Sequence, residues 1–300
     1  CGFVFTCPNC DVALTYHRFD ESLRCHYCGA NYKMPKTCPS CGREYIKYTG
    51  IGTQQVEEQL KLVFPNVRCL RMDMDTTSGK TAHRDILDAF TRHEADVLIG
   101  TQMVAKGLDI PNVTLVGVVF ADSTLFHSDF RSSERTFQLL TQVAGRAGRA
   151  DKEGRVVIQT NAPGHRAIRL CTKHDYKTFY NLEIGDRLRT LFPPFAVFVR
   201  AQFACADENA AADAAERFAN GVTKTILTAL KPANAENELV FALAGAAPIR
   251  RREGLFRYAV IIKLVRTANT AAAINAIYAF SDGCADECYR GIEVNPQDML

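Results

Sequence analysis

Two arginines near the middle of the chain have the type and spacing for phosphate chemistry. They lie in QLLTQVAGRAGRADKEG, residues 138–154, which begins as a helix-like run and ends in glycine and charge. On a helix, Gln142, Arg146 and Arg149 lie at i, i+4 and i+7 and therefore share one face. Two forked guanidinium groups on one face can stabilise the charge of a phosphoryl group during its transfer. The alternative is a solvated arginine face at a helix end, where cations relieve the helix dipole.

The second group of chemically capable residues is a set of cysteines at the start of the chain. Seven of the twelve cysteines are Cys1, Cys7, Cys10, Cys25, Cys28, Cys38 and Cys41. Six of them form Cys-x-x-Cys pairs, and two such pairs close a tetrahedral four-thiolate zinc site. A disulfide framework is the alternative, but it is typical of small exported proteins, whereas the rest of the chain resembles an intracellular protein. We therefore predict zinc, which must hold this short polar segment together.

The cysteine count predicts one incomplete site. Cys28 and Cys41 are each followed by glycine, as Cys1 is. We therefore expect Cys1 to be the second half of a fourth pair, and the chain to be a fragment that begins inside a larger protein. Four pairs would form two sites of four ligands each. His17 or His26 could replace the absent ligand, although a histidine near such a pair is more often a surface residue.

Composition excludes several classes of protein. The chain has 300 residues, 47% of them hydrophobic, and a formal net charge of +3. This length accommodates two ordinary domains and a small appendage, and the apolar content is too high for a disordered protein. The longest apolar runs are far shorter than the roughly 20 residues of a membrane helix, and no leader segment opens the chain. We predict a cytoplasmic protein whose charge alone does not indicate nucleic-acid binding.

Strand-like and helix-like segments alternate from about residue 50 to residue 165. The strands are VRCLRMD, ADVLIGT, VTLVGVVFAD and GRVVIQT, and helices are predicted in TQQVEEQLKLVF, HRDILDAFTRH, QMVAKG and the arginine stretch. This alternation predicts a parallel sheet covered on both faces, as in RecA-like or doubly wound domains. Ligands of such sheets bind at the carboxyl ends of strands, and we expect Thr53, Thr101 and Asp122 at that edge.

The chain contains no complete nucleotide-binding loop in its sequence. Ser78 to Thr81 spell SGKT, but the phosphate-binding loop needs a glycine where this chain has Met74, and a buried strand leading directly into it. Asp73 and Asp75 are better interpreted as turn or cap residues than as catalytic carboxylates. We therefore expect that the chain cannot build an ATP site unaided.

The last hundred residues follow a different order. Their predicted order of strands and helices is β-α-β-β-α-β, as in a ferredoxin-like α+β domain. A turn in PIRRREGLFRY concentrates basic side chains beside Phe256 and Tyr258. These basic residues are Arg250, Arg251, Arg252 and Arg257. They could hold phosphates while the aromatic rings stack on bases. From spacing alone, a merely solvated hairpin is about equally well supported.

Several of these motifs resemble those of superfamily 2 helicases. TQVAGRAGRA resembles their motif VI, and VLIGTQMVAKGLDIPNVTLV resembles their motif V. The order of the cysteine pairs, GIGTQQVEEQL, ADSTLFHSDFRSSERTFQLLTQVAGRAGR, FPPF and IEVNP is similar to that of the bacterial replication-restart helicases. The resemblance spans the whole chain. It implies an α/β RecA-like helicase lobe 2 with an inserted zinc module, followed by an α+β ferredoxin-like C-terminal domain.

The resemblance also implies the domain boundaries. They are a zinc module at 1–46, truncated at its N-terminal end, the helicase lobe at 47–165, a helical connector at 166–192 and a DNA-binding or partner-binding domain at 193–300. One zinc site is then formed by Cys7, Cys10, Cys25 and Cys28. The other combines Cys1, Cys38 and Cys41 with the missing cysteine.

Site residues follow from the same resemblance. Arg146 and Arg149 match arginines that reach the phosphates of ATP, and Gln142 is the polar residue of their motif. Gly107 and Asp109 match positions near the nucleotide. Positions near the DNA backbone are matched by Gly52, Thr53, Thr101 and Gln102. The arginines at 250, 251, 252 and 257 are assigned to DNA or partner binding.

The function implied is that of an ATP-dependent 3′ to 5′ DNA helicase that recognises stalled or branched forks and restarts replication by primosome assembly. Two zinc ions, ATP and Mg²⁺ are the implied cofactors of the parent protein. Branched and single-stranded DNA, single-stranded DNA-binding protein and primosome proteins are the implied partners, with no membrane. We expect the fragment alone to be inactive. The rival hypothesis is a non-enzymatic zinc-bearing nucleic-acid adaptor with a degenerate helicase lobe.

Overall fold

The structure is a computed structural model. It describes residues 3–10, 12–17, 21–25, 27–44, 52–73, 82–101, 113–126, 129–145, 154–230 and 238–297. The chain forms two compact units. One comprises Cys1–Tyr48 together with Gly185–Leu300, and the other comprises Thr49–Ile184. No helix in the described ranges combines the length and apolar character that crossing a membrane requires.

The cysteine-rich segment contains a small antiparallel sheet. Its strands are β1 (Thr15–His17), β2 (Ser22–Arg24) and β3 (Asn31–Lys33), in the order β1-β2-β3. The buried cluster of this segment consists of Cys7, Cys10 and Cys25, with a few half-buried apolar side chains around them. Because the cysteines themselves are the core, this segment has little apolar area with which to stabilise its own fold.

The second unit combines parallel strand pairs with helices. The elements are α1 (Thr53–Val63), β4 (Cys69–Met72), α2 (Ala82–Thr91), β5 (Val97–Gly100), β6 (Leu115–Val118), α3 (Asp122–Leu125), α4 (Ser132–Ala144), β7 (Arg155–Ile158) and α5 (Arg166–Cys171). β4 pairs with β5 and β6 pairs with β7, both in parallel register. A parallel pair requires a crossover connection, which α2 provides between β4 and β5. Apolar side chains of α3, α4 and α5 form one core cluster together with Phe179 of the next helix, whose ring stacks on that of Phe137 at 4.2 Å.

The helix α6 (Tyr176–Thr190) precedes the C-terminal domain. That domain contains β8 (Ala196–Cys205), α7 (Glu208–Ala229), β9 (Leu239–Arg252), β10 (Leu255–Val265), α8 (Thr270–Asp282) and β11 (Tyr289–Val294). Its sheet is antiparallel throughout, in the order β11-β8-β10-β9. The side chain of Asp207 accepts a 2.7 Å hydrogen bond from the N–H of Ala210 and so caps α7. One face of α7, from Ala211 to Ile226, is buried against the sheet.

A buried lysine joins the end of α6 to the C-terminal sheet. Lys263 is 7% exposed, and its Nζ donates a 2.9 Å hydrogen bond to the carbonyl of Thr190 at the end of that helix. The same ammonium lies 4.7 Å from the ring centroid of Phe192 and 5.6 Å from that of Phe198. Burial lowers the pKa of Lys263. Aromatic faces and a helix C-terminus both favour a cation, which accounts for a lysine at a buried position.

Helices α7 and α8 approach each other closely at Gly221. A Cβ placed there would lie 2.4 Å from the ring of Phe280, whereas one at Gly185 in α6 would meet nothing within 4 Å. Alanine gains about 1 kcal/mol of helix propensity over glycine, but overpacking costs about 1 to 3 kcal/mol. We expect Gly221→Ala to lower the free energy of unfolding by about 1 kcal/mol and Gly185→Ala to raise it. Urea denaturation measures both, and equal midpoints for the two variants would show that the ring of Phe280 moves aside without cost.

Candidate metal centre and nucleotide-facing residues

Four cysteines converge at one point of the cysteine-rich segment. The sulfur atoms of Cys7, Cys10, Cys25 and Cys28 all lie within 4.8 Å of one another, and three of the four residues are almost fully buried. The sulfurs of Cys7 and Cys28 are 3.7 Å apart. The cysteines in the described ranges are free thiols. Four sulfur ligands at this separation fit the tetrahedral thiolate sphere of a zinc ion.

Each pair is shaped by a tight turn. The N–H of Cys25 donates to the carbonyl of Ala30 at 2.9 Å, and the N–H of Gly29 donates back to the carbonyl of Cys25 at 2.9 Å. Gly29 has φ +71°, a left-handed conformation that glycine adopts without steric cost. The turn directs the sulfurs of Cys25 and Cys28 towards the same point. This geometry explains why glycine follows the second cysteine of the pair.

Burial and backbone hydrogen bonds shift the pKa values of Cys7, Cys10 and Cys25. Burial raises the pKa of Cys10 to about 12 and also raises the pKa of Cys7. Burial opposes ionisation of Cys25 as well, but the N–H groups of Cys28 and Tyr27 donate to its sulfur and lower its pKa to about 7. Four neighbouring thiolates repel one another in a buried site, so a divalent cation is needed to ionise all of them. The cluster therefore has the chemistry of a metal site rather than that of a set of inert core thiols.

The third cysteine pair repeats the same turn. The N–H of Cys38 donates to the carbonyl of Arg43 at 2.8 Å, and the N–H of Gly42, at φ +70°, donates to the carbonyl of Cys38 at 2.9 Å. The N–H groups of Cys41 and Ser40 donate to the sulfur of Cys38 and lower its pKa. Cys38 and Cys41 thus lie on the same kind of turn as Cys25 and Cys28. Their predicted partner Cys1 lies outside the described residues, as do His26 and the side chain of His17.

Thr53 and Gly52 lie at the start of α1. Gly52 is the N-cap residue and provides no side-chain cap, so the first turn of the helix has N–H groups without a capping side chain. The hydroxyl of Thr53 donates a 2.6 Å hydrogen bond to the Oδ2 of Asp73, directly after β4. Arg71 forms an ion pair of 2.8 Å with the same carboxylate oxygen. Asp73 therefore ties the start of α1 to the end of β4, a structural role.

The structure describes only some of the remaining predicted residues of this unit. Thr101 is exposed immediately after β5, and Gln142 is exposed in the last turn of α4. Gln102, Gly107, Asp109, Arg146 and Arg149 lie outside the described residues. Asp122, which the sequence placed at the same sheet edge, is 4% exposed and accepts hydrogen bonds from Thr160 and from the N–H of Asn161. Asp122 therefore holds the ends of β6 and β7 together.

The four hairpin arginines have different surroundings. Arg250 forms an ion pair with Glu208, and Arg252 lies 3.2 Å from a carboxylate oxygen of Glu253. Arg257 is half-buried, and its pKa is lowered by burial and by the charges of Arg252 and Arg200.

Arg251 instead contacts the cysteine-rich segment. Its Nη1 donates a 3.1 Å hydrogen bond to the carbonyl of Pro8. The sequence did not predict this contact, because the two residues are 243 positions apart and no motif links them.

Both the cysteine-rich segment and the unit of parallel strands and helices are similar to known proteins. Residues 7–33 match the PriA DNA helicase Cys-rich region, and residues 45–151 match the helicase conserved C-terminal domain. The chain is 46% identical over 277 residues to the replication restart protein PriA of Bacillus subtilis. This alignment covers 92% of this chain and 33% of that protein. It is 50% identical over 203 residues to PriA of Synechocystis, covering 66% of this chain and 24% of that protein. The chain thus spans about a third or less of these relatives.

Proposed function

We propose that this chain, a homologue of the C-terminal part of the replication restart protein PriA, supplies the second lobe of an ATP-dependent 3′ to 5′ DNA helicase that restarts stalled replication. The observation that carries the proposal is the coincidence of two features. The four convergent cysteines fall in the matched Cys-rich region, and the arginine stretch falls in the matched helicase domain. In this proposal the lobe is RecA-like, and its parallel strand pairs support that assignment.

ATP and Mg²⁺ are held mainly by a lobe outside this chain. Arg146 and Arg149 reach across to the phosphates, where their guanidinium groups stabilise charge that develops on the transferring phosphoryl group. Gln142 supports them from the preceding turn, while Gly107 and Asp109 contact the nucleotide. ATP closes the two lobes and hydrolysis reopens them, which moves the lobes along one strand. This chain contributes one of the two lobes.

DNA is contacted by two surfaces in this proposal. On the lobe, Gly52, Thr53, Thr101 and Gln102 follow the phosphate backbone of the tracked strand. The hydroxyl of Thr53 is already donated to Asp73, so the phosphate contact falls to the N–H groups at the start of α1. On the C-terminal domain, the repulsion among basic side chains near Arg257 favours an anion such as a phosphate. That domain is proposed to be ferredoxin-like, supported by its sheet order and its β-α-β-β-α-β succession.

The zinc module has a structural role in the proposed function. Cys7, Cys10, Cys25 and Cys28 hold one zinc ion, and Cys1, Cys38 and Cys41 contribute to a second. Zinc compensates the thiolate charges and cross-links the segment. The module is proposed to contact the replication fork and primosome proteins in the cytoplasm. The C-terminal domain is proposed to contact branched DNA and single-stranded DNA-binding protein.

ATP hydrolysis by the isolated chain tests the division of labour between the lobes. We expect the purified 300-residue chain to bind single-stranded DNA and to show no DNA-stimulated ATPase activity, because its sequence has no complete phosphate-binding loop. The full-length protein, assayed in parallel for phosphate release, should turn over ATP only when DNA is present. Robust turnover by the chain alone would contradict the proposal that the nucleotide site needs a second lobe.

A further inference from the structure

The tip of the β9–β10 hairpin is seated on the first cysteine pair. The N–H of Glu253 donates to the sulfur of Cys10 at 3.4 Å, and the N–H of Gly254 donates to the carbonyl of Asn9 at 3.0 Å. The guanidinium of Arg251 donates to the carbonyl of Pro8 at 3.1 Å. Three consecutive residues of the cysteine pair therefore accept hydrogen bonds from one hairpin of the C-terminal domain. Both partners belong to the same compact unit.

The hairpin donates a backbone N–H to the sulfur of Cys10, whereas Cys7 and Cys25 receive such hydrogen bonds from their own turns. The sulfur of Cys7 accepts from the N–H groups of Asn9 and Cys10, within its own turn. The sulfur of Cys25 accepts from Tyr27 and Cys28 in the same way. For Cys10 the backbone donor is Glu253, 243 residues away in sequence. An N–H directed at a thiolate stabilises the negative charge and orients the sulfur. Hydrogen bonds to the ligands of a metal site act in this way.

The turn is built to present these two N–H groups. Arg252 pairs with Leu255, so Glu253 and Gly254 form a two-residue connection, with φ values of +54° and +85°. Positive φ at both positions defines the tight type I′ hairpin turn, and glutamate is an uncommon residue there. The guanidinium of Arg251 lies 5.0 Å from the ring centroid of Phe256, which limits its freedom while it contacts Pro8. Arg251 thus clamps the turn against the cysteine pair.

We infer that the C-terminal hairpin forms an outer wall of the zinc site of Cys7, Cys10, Cys25 and Cys28, with Glu253 as the backbone donor to Cys10 and Arg251 as the positioning residue. The hairpin slows the loss of zinc, and the loaded site in turn fixes the hairpin. This inference rests on the proposed binding of zinc. It makes the cysteine-rich segment and the C-terminal domain one metal-dependent unit, although they lie at opposite ends of the sequence.

Zinc release tests the role of Arg251. The assay follows transfer of zinc to a chromogenic chelator in a Cys38→Ser/Cys41→Ser background, so that the metal comes from one cluster. We expect Arg251→Ala to release zinc about 10-fold faster, the lower end of the effect of removing an outer-shell partner. Arg217→Ala is the matched control, since it removes an equal charge from the same compact unit but leaves the Pro8 contact and Glu253 intact. Equal release rates for the two variants and the unsubstituted protein would overturn the inference.

Hydrogen exchange tests the reciprocal effect without any substitution in the hairpin. We expect removal of zinc to accelerate amide exchange in a peptide covering residues 250–256, with no change in a peptide from the middle of α7. Unchanged exchange at 250–256 would contradict the coupling. Metal analysis separates the proposed zinc site from the proposed role of the hairpin. A background protein that binds no zinc would overturn the proposed zinc site itself, whereas bound zinc with equal release rates would overturn the hairpin's role alone.

Discussion

Replacing Arg149 with alanine in the full-length protein is expected to lower DNA-stimulated ATP hydrolysis by about 10³-fold or more, the scale known for an arginine that stabilises a transferring phosphoryl group. The positive charge acts on the transition state more than on bound ATP, so kcat should fall while the KM for ATP changes little. Phosphate release in steady state measures both parameters. DNA unwinding should be lost together with hydrolysis.

Arg92→Ala is a suitable control for the loss of an arginine. Arg92 lies in the same unit, its side chain is 61% exposed, and it forms an ion pair with Glu94, two residues away. Exposed pairs of this kind contribute little to stability, so the ATPase activity of this variant should stay within about twofold of the unsubstituted protein. Unchanged ATPase and unwinding after Arg149→Ala would instead support a non-enzymatic adaptor that retains a helicase lobe only for its shape.

Replacing Cys25 with serine is expected to abolish zinc binding at the cluster and to unfold residues 3–44. Structural zinc sites of this kind contribute about 10 to 16 kcal/mol to folding, and serine does not replace a thiolate ligand. Among the described residues, the buried core of the segment is mostly cysteine, with Leu23 as its one buried aliphatic side chain, so little apolar area is left to hold it. Zinc content by mass spectrometry and limited proteolysis of the purified chain measure the two effects.

Cys69→Ser provides the matched comparison for this loss. Cys69 lies half-buried in β4, in the other compact unit, and is not one of the four clustered cysteines. This variant should retain all of its zinc and the same resistance of residues 3–44 to protease. Treatment of the unsubstituted chain with a strong chelator should reproduce the behaviour of Cys25→Ser. Retention of zinc and of protease resistance by Cys25→Ser would show that the segment folds without this ligand.

The local elements of this fold were predictable because each is specified by a short pattern. The segment AVFVRAQFAC coincides with β8, and the long alanine-rich segment at 207–230 contains α7. The Cys-x-x-Cys spacing of CHYC predicted two ligands of one metal, and Cys25 and Cys28 do converge on one point. Such patterns succeed because side-chain periodicity and turn chemistry act over a few residues.

Contacts between distant segments could not be predicted in this way. Nothing in the sequence indicates that Thr53 donates a hydrogen bond to Asp73. Nor does it indicate that the hydrogen bonds of Asp122 join the ends of β6 and β7. The four hairpin arginines form a single basic group in the sequence, but in the fold Arg250 pairs with Glu208 and Arg251 contacts Pro8. A backbone donor such as Glu253 leaves no side-chain signal at all, because its N–H group is common to every residue except proline.

The most direct test of the proposed role of the lobe is the affinity of the full-length protein for ADP with aluminium fluoride, a mimic of the transferring phosphoryl group. We expect Arg149→Ala to weaken binding of this complex by at least about 100-fold, while the affinity for ADP alone changes by less than about threefold. Equal affinity of the variant and the unsubstituted protein for the mimic would show that Arg149 makes no contact with the reacting phosphate, and would overturn the proposed role of the lobe.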